Sequence, residues 1–356
     1  MTDILIIGGG IAGLSAAARL SADAQVTVLE MENVTGYHAS GRSAALIEEN
    51  YGAPSVQALN RASMEYFQQG EYLTQRGLLI IARESEHEAF KADVANMGVH
   101  PITPAEAIDF VPVLDPAQVG LAAYHATAFD IDTDRLMQDF VRTIRANGGH
   151  VVTNAIVTQI RQDSHGWHVL AGAEYTAKTL VNAAGAWADL IAGIAGVTPL
   201  GIIPHRRSMA RLAAPGGHDT SHWPMFFGVN ESWYAKPDAG ALLVSPAEEV
   251  ATNPHDAYAD DMTLAEGLDR YENMVSEPVT RPIATWAGLR SFAPDRTLVL
   301  GRDPEVPELV WCAGQGGYGF QTSPAASTLL ADLVTGRTPS LNVASVAALR
   351  PDRLRP

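Results

Sequence analysis

Three glycines near the start of the chain have the spacing of a phosphate-binding turn. Gly8, Gly10 and Gly13 form a G-x-G-x-x-G pattern directly after the apolar run Ile4–Ile7. In a strand–turn–helix unit, the first glycine makes the tight turn, the second lets the backbone approach a pyrophosphate, and the third lets the helix pack closely on the strand. The helix N-terminus adds unpaired N–H groups and a partial positive charge. The pattern predicts a dinucleotide site, and a glycine-rich turn without a ligand is the alternative.

A carboxylate at the end of the second predicted strand restricts the choice of dinucleotide. Glu30 follows the run Gln25–Leu29. It lies about 20 residues beyond the first glycine, where an acidic side chain accepts hydrogen bonds from the adenosine ribose. The same charge would repel a 2′-phosphate, which disfavours NADP. NAD and FAD both stay open on this motif alone.

A second glycine loop, Gly314–Gly319, lies near the end of the chain and favours FAD. It follows the buried-strand run Glu308–Ala313 and precedes the predicted helix Ser323–Val334. The N1–C2=O edge of a flavin becomes negative on reduction, and backbone N–H groups of residues 316–321 would stabilise that charge. The alternative is a glycine-rich turn at a strand end.

The elements that must position these motifs follow from periodicity and from turn residues. Residues 3–30 are predicted as strand–turn–helix–strand, and residues 200–290 alternate in the manner of an antiparallel sheet. Between them the pattern predicts helices and short strands: helices at 55–70, 84–97, Arg135–Asn147 and Trp187–Ile194, and strands at His150–Thr153, Ile156–Arg161, Trp167–Leu170 and Lys178–Asn182.

Nucleotide-domain character therefore occurs at both ends of the chain, which predicts an α/β fold. The expected architecture is a Rossmann-like FAD-binding domain with a discontinuous α+β substrate domain built on an antiparallel sheet. The predicted boundaries are 1–75, 125–200 and 290–356 for the FAD-binding domain, and 76–124 and 201–289 for the substrate domain.

The amino-acid composition excludes some classes of protein and partner. The chain has 356 residues, 47% hydrophobic and 18% charged, with a net charge of −16 and one cysteine. We expect no nucleic-acid partner and no anionic membrane surface, because the net charge has the wrong sign. The apolar N-terminus is too short to span a bilayer and lacks a basic leader region, so we expect no integral membrane segment. A single cysteine is typical of a reducing compartment, and we predict a cytoplasmic protein.

The chain as a whole resembles the FAD-dependent D-amino-acid oxidase and dehydrogenase family, and within it the bacterial D-arginine dehydrogenase type. The resemblance covers nearly the full length. The matching segments are Gly8–Gly13 with Glu30, Tyr37–Ala45, Asp130–Thr133, Val181–Trp187, Arg206–Ser208, Trp223–Met225, Tyr234–Gly240, Thr285–Phe292 and Gly314–Ser323.

This resemblance implies tightly bound FAD but does not decide whether the flavin is covalently attached; because the one thiol, Cys312, is expected to be buried, we predict non-covalent FAD. It implies that Ala39–Ala45 runs along the flavin and that Val157 contacts the adenine end. Cys312 lies inside an apolar strand run, which is typical of a buried hydrophobe and not of a flavin linkage. The predicted cofactor-binding residues are Gly8, Gly10, Ala12, Gly13, Glu30, Met31, Ala39, Ser40, Gly41, Arg42, Ser43, Ala44, Ala45, Val157, Gly316, Gly317, Tyr318, Gly319, Phe320 and Gln321.

The implied activity is oxidative deamination of free D-amino acids, in which a hydride leaves Cα for flavin N5 and the imino acid is then hydrolysed. Arg290 is a candidate carboxylate clamp because it follows the apolar segment Trp286–Leu289, where an unpaired charge would be costly. Arg207 competes with its arginine neighbours and is selected by the resemblance. The resemblance also assigns the Tyr51 and Tyr234 hydroxyls to the substrate carboxylate, and the Gly288 carbonyl is a candidate acceptor for the amine.

No side chain is an evident base for the amine. We expect its proton to pass to solvent or an ordered water, although His38, His125, His205 and His222 have the right chemistry by type. No metal-binding pattern occurs. Glu48 and Glu49 could bind a basic side chain, but a charge run beside a tyrosine is typical of a solvated face. Because the segments Gly77–Ile81 and Met225–Phe227 are apolar, we expect a broad or hydrophobic substrate preference.

Four alternatives stay open at this point. A glycine- or sarcosine-type secondary-amine oxidase or an α-hydroxy-acid dehydrogenase would use the same arginine clamp. A non-catalytic nucleotide-binding module and an NAD-dependent dehydrogenase are the others. No sequence motif shows whether the electron acceptor is dioxygen or a quinone.

Overall fold

The computed structural model describes residues 2–355 as nine α-helices and twenty strands. The helices are α1 Ile11–Leu20, α2 Pro54–Gln69, α3 His87–Met97, α4 Pro104–Phe110, α5 Thr133–Ala146, α6 Ala188–Ile194, α7 Asp261–Glu272, α8 Gly319–Thr335 and α9 Val343–Ala347. The strands are β1 Thr2–Ile7, β2 Val26–Leu29, β3 Leu46–Ile47, β4 Leu73–Gln75, β5 Leu78–Ala82, β6 His100–Ile102, β7 Leu121–His125, β8 Phe129–Ile131, β9 His150–Val152, β10 Gln159–Asp163, β11 Gly166–Ala171, β12 Ala173–Asn182, β13 Ile203–Ala213, β14 Met225–Gly228, β15 Tyr234–Asp238, β16 Ala241–Ser245, β17 Val250–Ala251, β18 Ala284–Phe292, β19 Val299–Arg302 and β20 Leu309–Ala313.

The first large sheet has a parallel centre, β20–β12–β1–β2–β9, with β19 antiparallel to β20 and the antiparallel pair β10–β11 on the first half of β12. Its strands read as continuous apolar runs because both faces are covered. Helices α1, α2, α5 and α8 pack on one face. Helix α6 and the antiparallel strands β10 and β11 cover the other. This arrangement confirms the predicted α/β dinucleotide fold.

The second large sheet has nine strands in the order β17–β13–β16–β15–β14–β5–β7–β6, with β18 paired to β13. It is antiparallel as predicted for residues 200–290, except that β14 runs parallel to β5. Strand β5 and strands β6 and β7 come from a separate stretch of chain, so the insert is discontinuous. Strand β18 crosses the predicted boundary between residues 289 and 290, and the domain boundaries themselves stay a prediction.

Several predicted elements begin elsewhere, and the strand predicted from Lys178 begins at Ala173 as β12. Strand β10 begins at Gln159, not Ile156, and helix α8 begins at Gly319, four residues before the predicted start. Pro324 lies inside α8, where its missing N–H leaves the Phe320 carbonyl without its usual partner. The Ser323 hydroxyl donates to that carbonyl at 2.9 Å, so the helix continues through the proline.

Candidate active site

The turn between β1 and α1 has room for glycine alone. Gly8 has φ +111, and a Cβ there would lie 2.3 Å from the Ala183 carbonyl oxygen. A Cβ on Gly13 would lie 1.9 Å from the Gly8 oxygen. Helix α1 therefore begins directly against the strand edge, and the N–H groups of its first turn have no partners inside the helix. One of them, Ile11 N–H, donates to Ser40 Oγ at 2.9 Å.

Glu30 is buried at the end of β2 and faces the same turn. Its Oε2 accepts from Gly9 N–H at 2.7 Å, and its Oε1 accepts from Glu32 N–H at 2.9 Å. These bonds fix the carboxylate beside the glycine turn, where it lines the cavity together with Met31. The position fits the predicted ribose acceptor.

The segment Ala39–Ala45 connects the nucleotide end to the second sheet. Arg42 at its centre donates from Nη1 to the carbonyls of Ala257 and Ala287, at 2.8 and 2.9 Å. At its end, Ala45 adopts φ 41, and the buried Lys236 Nζ donates to the Ala44 carbonyl at 2.6 Å. The segment is thus attached to the substrate side by two cations, its own Arg42 and Lys236 of β15.

The second glycine loop lies across the cavity from this segment. Gly316 has φ +51, and a Cβ there would lie 2.3 Å from the Phe292 ring. Helix α8 begins at Gly319 and points its first turn at the cavity. Gln321 Oε1 accepts from Glu48 N–H at 3.3 Å, while its buried Nε2 has no partner among residues 2–355. A donor left unpaired in the protein, beside free N–H groups, fits the acceptor edge of a flavin.

A continuous cavity of ≈ 490 Å³ joins all these features. Three predicted cofactor residues do not line it. Gly13 and Gly41 make close backbone approaches instead, since a Cβ on Gly41 would lie 2.6 Å from the Gly36 oxygen. Tyr318 packs behind the loop against Tyr51, with ring centroids 5.4 Å apart. The predicted cofactor residues that line the cavity are Gly8, Gly10, Ala12, Glu30, Met31, Ala39, Ser40, Arg42, Ser43, Ala44, Ala45, Val157, Gly316, Gly317, Gly319, Phe320 and Gln321.

Two arginines reach the cavity from neighbouring strands. In the β13–β18 ladder, Arg207 is paired with Gly288 and Arg290 with His205. Because residues two apart on a strand share a face, Arg207, Gly288 and Arg290 lie on one side of the sheet. All three line the cavity. The ladder register therefore brings together the two arginines and the glycine that were predicted separately.

Arg207 is 7% exposed and only partly paired. Its Nη2 donates to Glu249 Oε1 at 3.1 Å, but within residues 2–355 its buried Nε and Nη1 have no partner. A buried cationic donor without an acceptor is costly. The Arg207 guanidinium therefore has the vacant donors that an anionic substrate group would fill.

Arg290 is held in its charged form. Burial of the guanidinium away from water lowers its pKa. The surrounding Tyr51, Tyr234, Glu231 and Glu249 side chains outweigh this effect and raise the pKa above its ordinary value. Two unpaired or weakly paired guanidinium groups on one wall form a strong anion site.

Two tyrosines complete this end of the cavity. Tyr51 Oη donates to Glu231 Oε2 at 3.2 Å. Desolvation, and then the Glu231 carboxylate, raise the pKa of Tyr51, so its hydroxyl keeps its proton. Tyr234 is 5% exposed, and its ring centroid lies 6.0 Å from Arg207 Cζ. We call the group of Arg207, Arg290, Tyr51 and Tyr234 the clamp.

Glu231 is a cavity residue that sequence reasoning missed. Glu231 has φ 49 and the preceding residue, Asn230, has φ 56, so both lie in the left-handed region. Such a turn is rare for non-glycine residues and turns the carboxylate toward Tyr51. No periodicity in the sequence signals it.

The four histidines considered as bases have separate environments. His38 lines the cavity and lies 2.9 Å from Glu32. His125 contacts Glu48 at 2.7 Å. The His205 Nδ1 atom lies 3.0 Å from the carbonyl oxygen of Ile203 on the same strand, β13. His222 is exposed. Glu48 itself is 4% exposed, so its assignment to a solvated face is wrong: helix α2 and strand β7 fold over it.

Cys312 lies in β20, buried against the Ala12 carbonyl at 3.7 Å. Burial raises the pKa of its thiol to about 12, which leaves it un-ionised. Within residues 2–355, no group of three or more His, Cys, Asp or Glu side chains could hold a metal ion. Over the same stretch, no helix is both long enough and apolar enough to cross a membrane.

Comparison with known proteins agrees with this geometry. The sequence profile of the family described as FAD dependent oxidoreductase matches residues 3–333. Glycine oxidase of Geobacillus kaustophilus (strain HTA426) is 24% identical, over 98% of this chain and 97% of that protein. L-2-hydroxyglutarate dehydrogenase of Escherichia coli (strain K12) is 27% identical, over 76% of this chain and 69% of that protein.

Among solved structures, L-proline dehydrogenase from P. horikoshii shares the fold with a TM-score of 0.83 and 24% identity, covering 99% of this chain and 97% of that one. These names differ from D-arginine dehydrogenase, so the finer part of the resemblance stays a prediction. The family-level part is confirmed. The chain belongs to the FAD dependent oxidoreductase family, and it is an FAD-dependent enzyme with the fold of that family.

Proposed function

We propose that this enzyme oxidises the amine of free D-amino acids to the imino acid, which water then hydrolyses to a 2-oxo acid and ammonia. The observation that carries the proposal is the clamp: two guanidinium groups on one face of the β13–β18 ladder, open to the cavity that contains both glycine loops. FAD, when bound, supplies an acceptor for the hydride that leaves Cα.

The clamp residues bind and orient the substrate. Arg207 Nε and Nη1 and the Arg290 guanidinium would hold the carboxylate, because planar guanidinium donors match its two oxygens. The Tyr234 hydroxyl adds a neutral donor, and the Tyr51 hydroxyl adds a second one when its hydrogen turns from Glu231 to the substrate. Held in this way, the substrate carbon that bears the amine faces the wall formed by Gly288 and the second glycine loop.

The amine must be neutral when Cα–H breaks. Of the four histidines, His38 alone lines the cavity, and it contacts Glu32. We therefore propose that the ammonium proton leaves to solvent or an ordered water. The Gly288 carbonyl is the proposed acceptor that keeps the amine in place.

A broad or hydrophobic side-chain preference is supported by the cavity wall beyond the clamp. Leu46, Leu78, Met97, Met225 and Phe227 line it with apolar surface. The buried, un-ionised state of Cys312 supports the proposal that FAD is held without a covalent bond.

A second candidate function is oxidation of glycine or a secondary amine such as sarcosine. The full-length similarity to glycine oxidase of Geobacillus kaustophilus favours it. The same clamp would bind the carboxylate of such a substrate.

Anaerobic reduction of the enzyme-bound flavin tests both. The purified enzyme is mixed with D- and L-enantiomers of several amino acids, with glycine and with sarcosine, and bleaching of the oxidised-flavin band is followed. Rapid bleaching by D-amino acids supports the first proposal. Bleaching by sarcosine or glycine in place of D-amino acids supports the second. Bleaching by L-enantiomers alone would refute the D-configuration. Reoxidation with dioxygen or a quinone analogue then identifies the electron acceptor.

A further inference from the structure

A carboxylate outside the cavity contacts one arginine of the clamp. Arg207 Nη2 donates to Glu249 Oε1 at 3.1 Å, while the buried Nε and Nη1 of Arg207 have no partner among residues 2–355. Arg207 lines the cavity, and Glu249 does not. One end of the guanidinium is therefore bonded to the protein, and its other donors are left to the cavity.

The strand register explains why Glu249 reaches Arg207. The short strand β17 begins one residue after Glu249, and its Val250 is paired with Arg206 of β13. In this antiparallel register the next pair is Glu249 with Arg207. Residues directly opposite each other in such a pair have neighbouring side chains on the same face of the sheet. Glu249 therefore approaches the guanidinium from the edge of the sheet.

A second arginine holds the other oxygen of the same carboxylate. Arg296 Nη2 donates to Glu249 Oε2 at 2.7 Å. The guanidinium carbon of Arg296 lies 3.9 Å from the centroid of the Phe292 ring, in a cation–π contact. Phe292 packs on the second glycine loop, where a Cβ on Gly316 would lie 2.3 Å from its ring. Glu249 thus links Arg207 of the clamp to the loop on the other side of the cavity.

This link matters for binding because an isolated ion pair here would be weak. The Glu249 side chain is 31% exposed and that of Arg296 is 49% exposed, and exposed pairs contribute little to stability. Two bonds, one on each oxygen, and the ring contact together restrict the carboxylate to one position. An arginine that is already held loses less rotamer freedom when an anion binds to it, so the anion binds more tightly.

We propose that Glu249, anchored by Arg296, is a positioning residue that holds Arg207 with its Nε and Nη1 donors directed into the cavity. The inference rests on the proposed function, which assigns the substrate carboxylate to Arg207. The 2-oxo acid product carries the same carboxylate, so its affinity depends on Glu249 in the same way.

The experiment compares two variants of equal charge, because the negative charge of Glu249 also repels a bound carboxylate. Glu249→Gln removes the charge but keeps an oxygen that accepts from Arg207, and Glu249→Ala removes both. The probe is 4-methyl-2-oxopentanoate, the 2-oxo acid that corresponds to D-leucine. It is titrated into the FAD-loaded enzyme, and its Kd is read from the change in the flavin spectrum. We expect the Kd of Glu249→Ala to exceed that of Glu249→Gln by about tenfold, the value of a hydrogen bond to a charged group.

Removing Arg207 shows whether the effect passes through it. In an Arg207→Ala background the two Glu249 variants have equal Kd values, because the guanidinium that they orient is absent. With Arg207 present and D-leucine as substrate, the loss in Glu249→Ala relative to Glu249→Gln lies mainly in KM. The reason is that a carboxylate contact is made equally before and during the breaking of the Cα–H bond.

Asp238→Ala is the matched control. Asp238 pairs with Arg211 on the same strand, β13, at 3.0 Å, and neither residue lines the cavity. This variant keeps the wild-type Kd. Equal Kd values for Glu249→Gln and Glu249→Ala would overturn the inference, and so would a difference between them that persists in the Arg207→Ala background. If D-leucine does not reduce the wild-type flavin and the 2-oxo acid does not perturb it, the proposed function fails instead.

Discussion

The two ends of the cavity are constructed in opposite ways. At the nucleotide end, the contiguous turn Gly8–Gly13 presents its backbone, and Gly8 and Gly13 have no room for an added Cβ. At the clamp end, side chains from β13, β18, β15 and the segment after β3 supply donors, and the register of β13 with β18 brings the two arginines together. The first end therefore fails when atoms are added, and the second fails when donors are removed.

The largest effect is expected from Gly13→Ala. Its Cβ would lie 1.9 Å from the Gly8 oxygen, and moving helix α1 away would open the glycine turn. We expect nearly complete loss of bound FAD and a loss of about 1–3 kcal/mol in the free energy of unfolding. Flavin content and thermal unfolding measure both.

Gly193→Ala is the control for that variant. Gly193 lies in helix α6, and an added Cβ meets no atom within 4 Å. This change keeps FAD and raises stability slightly, because alanine is the better helix former. Full FAD content in Gly13→Ala would contradict the steric account of the turn.

At the clamp, Arg290→Lys keeps the charge but removes the planar fork. We expect kcat/KM to fall about 100-fold, equivalent to about 3 kcal/mol, with FAD still bound. Arg211→Lys is the control on β13, where Arg211 forms a half-exposed ion pair with Asp238 at 3.0 Å. A change there of less than about twofold is expected. Equal effects of the two variants would argue against a clamp.

Tyr51→Phe removes one neutral donor from the clamp. The expected loss in kcat/KM is about tenfold, that of a hydrogen bond to a charged group. Because the loss is of a single donor, it is smaller than that of Arg290→Lys. Steady-state kinetics with one D-amino acid measure it, and kcat/KM equal to wild type would remove Tyr51 from the clamp.

The smallest effect is expected on the shape of the pH profile. kcat/KM rises with pH as the substrate ammonium loses its proton to water. It does not fall near pH 10.0, the ordinary pKa of tyrosine, because the pKa of Tyr51 is raised and its hydroxyl stays a donor. The rise persists in His38→Ala. If His38→Ala, or alanine in place of another of the four histidines, abolished the rise, a protein base would replace solvent in the account.

The candidate residues of the backbone end could be located from local patterns. The glycine turn, Glu30 and the second glycine loop are each read from a few adjacent residues, and the structure places them around one cavity. Their geometry is determined by φ angles and close approaches that the residue types themselves require.

The clamp end was predictable only in part. Arg290 could be selected from its apolar neighbours, but Arg207 needed the family resemblance. Glu48 was wrongly expected on a solvated face and Glu231 was not found, since burial depends on which distant segments fold over a side chain. The start of α8 was misplaced because Ser323 compensates for Pro324 within the helix.

The most direct measurement compares anaerobic flavin reduction by D-methionine, by L-methionine and by the amine that lacks the carboxylate, 3-(methylthio)propylamine. We predict rapid bleaching by D-methionine and negligible bleaching by the other two, because the clamp binds the carboxylate and sets which face of Cα meets the flavin. Bleaching by the carboxylate-free amine at the rate of D-methionine would contradict the central claim that Arg207 and Arg290 position the substrate.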